Sequence, residues 1–335
     1  MARQDRLDAD LDRGIAALEA GRIDDAAKCV ERCQRIDRTH PDVIALAAGV
    51  ADARGEVEAA IGLYRSLIEL RPDDATPRIC VARLQLRDLE DPDAALDTID
   101  AAFEMIDDEA DLVEAIIVRA DALVRIDDLE EARNALAELA TSMIDDPHIA
   151  FDLAELAIRA EDASSAARYI EIARQAPELE ADALHLLGCC YELSEDRAQM
   201  IATFQRVREL DMAAPAGDVT ISEDEIERIA LATLDELPAN VREKLGRVPI
   251  LIDDLPSPEL VADGLDPRLL GLFQGTPMAD DLAPTVTNIL LFRRNLERVA
   301  VDLDHLAEEV RITVLHETAH YFGLEEEDLE RLGLD

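Results

Sequence analysis

Lysine is nearly absent from this chain. Its 335 residues contain only Lys28 and Lys244, and 33 basic residues stand against 76 acidic ones, which gives a formal net charge of −43. A body of this charge is repelled by nucleic acid and by anionic membrane surfaces, so both are excluded as partners. The excess of acid indicates a strongly solvated surface, and the alternative is a surface that meets a cationic partner.

Long apolar runs and paired cysteine motifs are also missing. No stretch approaches the roughly 20 consecutive apolar residues of a membrane span, and the charged N-terminus lacks the apolar run of a signal peptide. The five cysteines are an odd number and include no C-x-x-C pair. A reducing, cytoplasmic setting is therefore expected.

A period of 34 residues runs through the first part of the chain. The segment Gly21–Ala26 aligns with Gly55–Ala60 and with Leu89–Ala94. After a four-residue insertion, the register resumes at three further positions. These positions are Ala132, Ala166 and Met200.

Seven residues after each of these marks comes a small or apolar residue. Seven residues make about two helical turns, so these positions share one helix face. They are Cys33, Leu67, Ala101, Leu139, Ala173 and Val207. The pattern predicts about six helical hairpins, each of which must stack on its neighbours to bury its apolar face.

Further marks lie in the sixth and second hairpins. The sixth carries Leu187 and Gly188 with Tyr191, and the second ends at Pro72. With these residues, the array from about residue 8 to 212 resembles the tetratricopeptide repeat family. The resemblance implies an α-helical solenoid that recruits a protein partner. Cysteines on these helices are interpreted as small packing residues, with a redox or metal role as the alternative.

The composition changes after residue 212. Eight of the fourteen prolines lie from Pro215 onward, which predicts repeats over 1–212, a linker over 213–220 and a second domain over 221–335. A capping box at Ser222 opens a helix. Two short β-like runs, Val248–Asp253 and Asn288–Phe292, flank a stretch predicted to be loop. A long helix from about residue 304 to 322 and a short acidic helix complete a small α+β domain.

The last long helix carries the segment His316-Glu317-Thr318-Ala319-His320. One helical turn separates His316 from His320, so their imidazoles project from one face and can bind one zinc ion. The adjacent carboxylate of Glu317 can take a proton from water activated by the ion. The alternative is a pair of structural histidines, with Glu317 in a salt bridge.

An open zinc site requires a third protein ligand. Gly323 can end the helix with a positive φ, and Glu326 follows three residues later, in the spacing H-E-x-x-H-x-x-G-x-x-E. A ligand from upstream is also compatible with the sequence. The acidic neighbours Glu325, Glu327 and Asp328 are rivals to Glu326 for this role.

Residues 221–335 resemble the minimal zincin-like metallopeptidases, or minizincins, which are small bacterial domains. The resemblance rests on Leu270–Gly275, on Ile289–Asn295, and on Val310–Gly323 together with Asp328–Gly333. It implies one zinc ion held by His316, His320 and an acidic third ligand, with Glu317 as the general base. The family pattern usually has Asp at the position of Glu326.

The leading hypothesis is a zinc metallopeptidase. In this hypothesis the substrate lies extended beside Asn288–Phe292, and Arg293 or Arg294 steadies the developing oxyanion. For the two arginines, pairing with surface carboxylates is the alternative. The repeats would recruit a protein substrate or a scaffold. The other hypotheses are a tetratricopeptide adaptor with a silent or structural zinc domain, and a repeat protein without metal.

Overall fold

The computed structural model of the chain describes residues 2–245, 248–275 and 286–322. The chain divides into two compact units, Met1–Ala176 and Pro177–Asp335. The sequence boundary at 213–220 therefore stays a prediction, because the last hairpin falls in the second unit. Among the described residues, no helix is long and apolar enough to cross a membrane.

Twelve α-helices in the described residues pair into the six predicted hairpins. They are α1 (Ala2–Glu19), α2 (Ile23–Asp37), α3 (Pro41–Ala53), α4 (Val57–Leu70), α5 (Thr76–Arg87), α6 (Pro92–Asp100), α7 (Glu109–Arg125), α8 (Leu129–Glu138), α9 (Pro147–Arg159), α10 (Ala163–Ala173), α11 (Glu180–Leu193) and α12 (Arg197–Ala213). Within the first unit, the first helices of successive hairpins are also in contact. Helix α5 contacts α7, and α7 contacts α9. The helical solenoid is confirmed.

The third hairpin is displaced by one residue from the predicted register. The predicted marks Ala94 and Ala101 are not its buried positions, since the fully buried residues are Ala95 and Ala102. An additional residue before α6 accounts for the shift. In the other hairpins the predicted positions are buried, as with Ala60 and Leu67 of the second.

Each hairpin turn places one residue in the left-handed region of the backbone. The residues and their φ angles are Gly21 (68°), Gly55 (69°), Glu90 (50°), Asp127 (63°), Glu161 (56°) and Glu195 (56°). Only glycine adopts this conformation without a steric cost from Cβ. Four of the turns therefore carry backbone strain that the first two avoid.

The cysteines lie inside the helical packing. Cys29, Cys33, Cys80 and Cys190 are buried, and Cys189 is partly buried; none of these five described cysteines forms a disulfide. Burial raises the pKa of Cys189 to about 12 and that of Cys33 and Cys80 above its usual range. Thiols that stay protonated are inert, which agrees with a packing role.

The second unit continues with a small α+β fold. Its further helices are α13 (Glu223–Glu236), α14 (Ala239–Leu245), α15 (Pro258–Ala262), α16 (Arg293–Val299) and α17 (Leu303–Tyr321). The predicted cap of α13 is confirmed, since the Ser222 hydroxyl accepts the Glu225 N–H at 3.3 Å. Helices α13 and α17 pack together and against the strands. Their shared core contains Ile226, Ile289, Val310 and Val314.

Three described strands form a mixed sheet in the order β1-β3-β2. They are β1 (Ile250–Asp253), β2 (Gly271–Gly275) and β3 (Val286–Phe292). Strand β1 is parallel to β3, and β2 is antiparallel to it. Strand β2 was predicted to be loop, because a five-residue segment with glycine at both ends shows no apolar alternation. The hypothesis that an extended substrate lies beside β3 is wrong, because in the described sheet β3 already pairs with β1 on one side and with β2 on the other.

Candidate metal centre

Helix α17 carries the metal motif. It begins after Asp302, whose carboxylate accepts the His305 N–H at 2.8 Å. Leu306, Val310 and Val314 recur every fourth residue, are fully buried and turn one face of the helix to the sheet. This packing fixes the position of the last two turns of the helix, which carry the two motif histidines.

The structure brings the two histidines together. The Nε2 atoms of His316 and His320 lie 2.9 Å apart, and the ring planes stand at 77° with centroids 4.6 Å apart. Two nitrogens bound to one tetrahedral zinc ion lie about 3.3 Å apart, given bond lengths of about 2.0 to 2.1 Å. Both rings are partly exposed. The pair therefore fits two ligands of one ion after a small adjustment.

Glu317 is buried between the helix and strand β2. Its Oε2 accepts the backbone N–H of Phe273 at 2.6 Å, which ties the carboxylate to the sheet. Phe273 stands opposite Ile289 in the β2–β3 register, so the strand next to the site also orients its acid.

A glycine makes this approach of strand and helix possible. A Cβ atom built on Gly271 would lie 2.6 Å from Thr313 Cγ2, 3.2 Å from Glu317 Cγ and 3.3 Å from the Leu290 carbonyl oxygen. Any side chain at this position would push β2 away from α17. Gly271 therefore holds the acid of the motif close to the sheet.

The predicted third ligand lies outside the described residues. Gly323, Glu326 and the rivals Glu325, Glu327 and Asp328 all fall beyond residue 322. Within residues 2–245, 248–275 and 286–322, no three His, Cys, Asp or Glu side chains form a group that could hold a metal ion. Glu326 as the third ligand stays a prediction.

The two arginines after β3 have structural partners. Arg293 donates from Nε to Asp254 Oδ1 at 3.0 Å and lies 3.6 Å from Glu297. Arg294 donates from Nη1 to the Met212 carbonyl oxygen at 2.8 Å. The alternative of carboxylate pairing is thus confirmed for Arg293, and both side chains tie segments of the unit together.

A buried charge cluster, unrecognised in the sequence, joins the sixth hairpin to the sheet domain within the second unit. The side chain of Asp211, 2% exposed, accepts Arg268 Nε at 3.0 Å and lies 2.6 Å from Arg298 Nη2. Arg268 also lies 2.8 Å from Asp182. No sequence signal separates these residues from the many exposed charges of the chain.

A second contact of the same hairpin is made by His185. Its Nε2 lies 2.9 Å from Asp266 Oδ2, and its ring stacks on Phe204 with centroids 5.8 Å apart. Burial opposes ionisation of Asp266, yet the hydrogen bond from His185 and the Arg268 N–H hold its pKa below the ordinary value. His185 is thus a packing residue.

Comparison with known families bears on both parts of the chain. The model of the zincin-like metallopeptidase family matches residues 245–334, and the tetratricopeptide repeat model matches residues 182–211. The chain joins tetratricopeptide repeats to a zincin-like metallopeptidase domain. None of the curated proteins compared matches the chain.

Solved structures similar to this chain are repeat proteins. PilW, described as a widely conserved type IV pilus biogenesis factor, has a TM-score of 0.52 and 14% identity, over 61% of this chain and 92% of PilW. PilF of Pseudomonas aeruginosa has a TM-score of 0.51 and 17% identity, over 63% of this chain and 94% of its own. These likenesses show the fold alone, and the solenoid shares it.

Proposed function

We propose that this chain is a zinc-dependent metallopeptidase that hydrolyses peptide bonds, with repeats that recruit a protein substrate or scaffold. The observation that carries the proposal is the pairing of the His316 and His320 Nε2 atoms at 2.9 Å beside the buried carboxylate of Glu317. A matching zincin-like family model supports it.

His316 and His320 would hold the ion, with Glu326 as the expected third ligand. Zinc, when bound, would supply a Lewis acid that polarises a peptide carbonyl and lowers the pKa of water toward about 7. Glu317 acts as the general base, since a carboxylate held by the Phe273 N–H is fixed in direction. It takes a proton from the attacking water and passes it to the leaving amine.

The substrate backbone is placed beside β2 in this proposal. In the described sheet β2 is an outer strand, and its Phe273 N–H reaches the carboxylate of Glu317. An extended peptide that runs along an outer strand would pass close to the base. This position replaces the earlier hypothesis of a substrate beside β3.

Replacement of the base separates catalysis from metal binding. In Glu317→Gln, the amide keeps the shape of the side chain but cannot accept the proton, so hydrolysis should fall by about 10²-fold or more. Zinc content, measured by elemental analysis, should stay at one ion per chain. Peptide hydrolysis is followed with a mixture of unstructured protein substrates.

Glu308→Gln is the matched control, because Glu308 lies on the same helix, is exposed and pairs with Arg311 at 3.2 Å. It should keep full hydrolysis. His316→Ala should lose the ion as well as activity. Undiminished hydrolysis in Glu317→Gln would contradict the mechanism. Bound zinc without any hydrolysis by the unmodified chain would instead favour the adaptor hypothesis.

A further inference from the structure

A groove lies on the first helices of the third, fourth and fifth hairpins, within the first unit. Helices α5, α7 and α9 contact one another in sequence, and a cavity of about 500 Å³ opens along them. Val113, Ile117 and Ile149 line it, together with Met143 from the segment before α9. The groove is thus part of the surface formed by consecutive hairpins.

Exposed apolar side chains collect in this groove. Met143 is 83% exposed, and Ile149 is 37% exposed. Single apolar residues on a surface are ordinary, but several around one cavity indicate a site of contact with another molecule. The groove therefore offers an apolar floor to an incoming side chain.

Carboxylates surround the floor. Glu109, Glu114, Asp145, Asp146 and Asp152 line the same cavity. The arginine among the lining residues, Arg83, lies 3.4 Å from Asp52 and 3.8 Å from Glu114, so its charge is already offset. The rim around the apolar floor is negative.

The pKa of one acid in this groove departs from its ordinary value. Desolvation raises the pKa of Asp152, the repulsion from Asp146 adds to the rise, and the attraction to His148 opposes it. Positive charge brought to this surface would relieve the repulsion.

We propose that this groove binds a segment of a partner protein in which an apolar side chain is flanked by arginine or lysine. The apolar side chain enters the cavity floor, and the cationic groups meet the rim carboxylates. A second copy of this chain, with its net charge of −43, is repelled by the same rim. The proposal deepens the recruitment part of the proposed function and rests on it for the role of the partner.

Three synthetic peptides of equal length test the proposal by fluorescence anisotropy. The first alternates arginine and leucine, the second replaces arginine by glutamate, and the third replaces leucine by serine. The full chain carries Glu317→Gln, so that binding is measured without hydrolysis. The first peptide should bind at least about tenfold more tightly than either of the others. Its affinity should fall as salt is added.

Two double variants with equal charge changes locate the site. Glu114→Gln with Asp145→Asn removes two rim charges and should weaken the arginine-leucine peptide about three- to tenfold. Glu69→Gln with Asp97→Asn, on the second helices α4 and α6, changes the net charge equally and should leave the affinity unchanged. Ile149→Gln should also weaken the peptide, because it makes the floor polar.

Several results would overturn the proposal. Equal weakening in both double variants, or equal affinity of the serine peptide, would mean general attraction to an acidic protein. Tight binding of the glutamate peptide would remove the charge argument. Dimerisation of the chain that Ile149→Gln abolishes would make a second copy the occupant. Because this assay needs neither zinc nor hydrolysis, its outcome is separate from that of the peptidase test.

Discussion

At the scale of single residues, the candidate site depends on a glycine as much as on its ligands. The H-E-x-x-H pattern predicts that two imidazoles and a carboxylate share one region, and the distance between the imidazoles agrees with it. The hydrogen bond from Phe273 to Glu317 was not predictable, because β2 was taken for loop. Gly271 belongs to a segment that carried the family resemblance. The close approach of Thr313 explains why this position is glycine.

Gly271→Ala should impair the site without changing any ligand. Its Cβ would overlap Thr313 Cγ2 at 2.6 Å, so β2 and α17 must separate and Glu317 must move. We expect a loss of about 1 to 3 kcal/mol in the free energy of unfolding and at least about a tenfold fall in hydrolysis. Urea denaturation and a peptide-hydrolysis assay measure the two effects.

Gly62→Ala serves as the control for this substitution. Gly62 lies within helix α4, and a Cβ there meets nothing within 4 Å. Alanine in an exposed helix interior stabilises by about 1 kcal/mol relative to glycine. Wild-type stability and activity in Gly271→Ala would show that the contact between strand and helix adapts freely.

At the scale of elements, helices were more predictable than strands. The 34-residue period determined six hairpins because each repeat must present the same buried positions to its neighbour. The period was misplaced by one residue at Ala94, since a single inserted residue in a turn leaves no compositional mark. Strand β2 was missed because a five-residue strand with glycine at both ends has too few side chains to show an alternation.

The charge cluster around Asp211 should contribute strongly to the stability of the second unit. Arg268→Met removes two hydrogen bonds to the Asp211 carboxylate, whose side chain is 2% exposed, and Asp211 would keep Arg298 as its remaining partner. Breaking a buried ion pair from one side costs about 3 kcal/mol. Denaturation in guanidinium chloride should show the loss.

Arg206→Met is the matched comparison on the same helix, α12. Arg206 is exposed and pairs with Glu209 at 3.0 Å, so its removal should cost less than about 0.5 kcal/mol. Equal effects of the two substitutions would show that the buried cluster adds nothing beyond a surface pair.

At the scale of the whole molecule, the sequence and the structure divide the chain at different points. Proline and glycine after residue 212 predict a linker at 213–220, because such residues punctuate domains. In the structure, the boundary between the two compact units instead lies between Ala176 and Pro177. The contacts responsible are made by side chains such as Asp211 and Phe204, and composition alone does not display them.

The fragment 177–335 should fold as a cooperative unit, whereas 221–335 should not. The shorter fragment lacks Asp182 and Asp211 and would leave Arg268 and Arg298 without these carboxylates. It would also uncover Val261, which packs against Met200 and Phe204. Thermal unfolding followed by circular dichroism compares the fragments. Equal melting temperatures would show that the sixth hairpin is dispensable for the sheet domain.

The hairpin turns differ in backbone strain between the first two hairpins and the later four. The left-handed turn position is glycine in the first two hairpins and a side-chain-bearing acid in the next four. A residue with a Cβ atom in this conformation costs about 1 kcal/mol or more relative to glycine. The residue type at each of these six equivalent positions therefore affects the stability of its own hairpin turn. Fraying by local opening should be easier at the turns of later hairpins, nearer the zincin-like domain in sequence, than at Gly21 and Gly55.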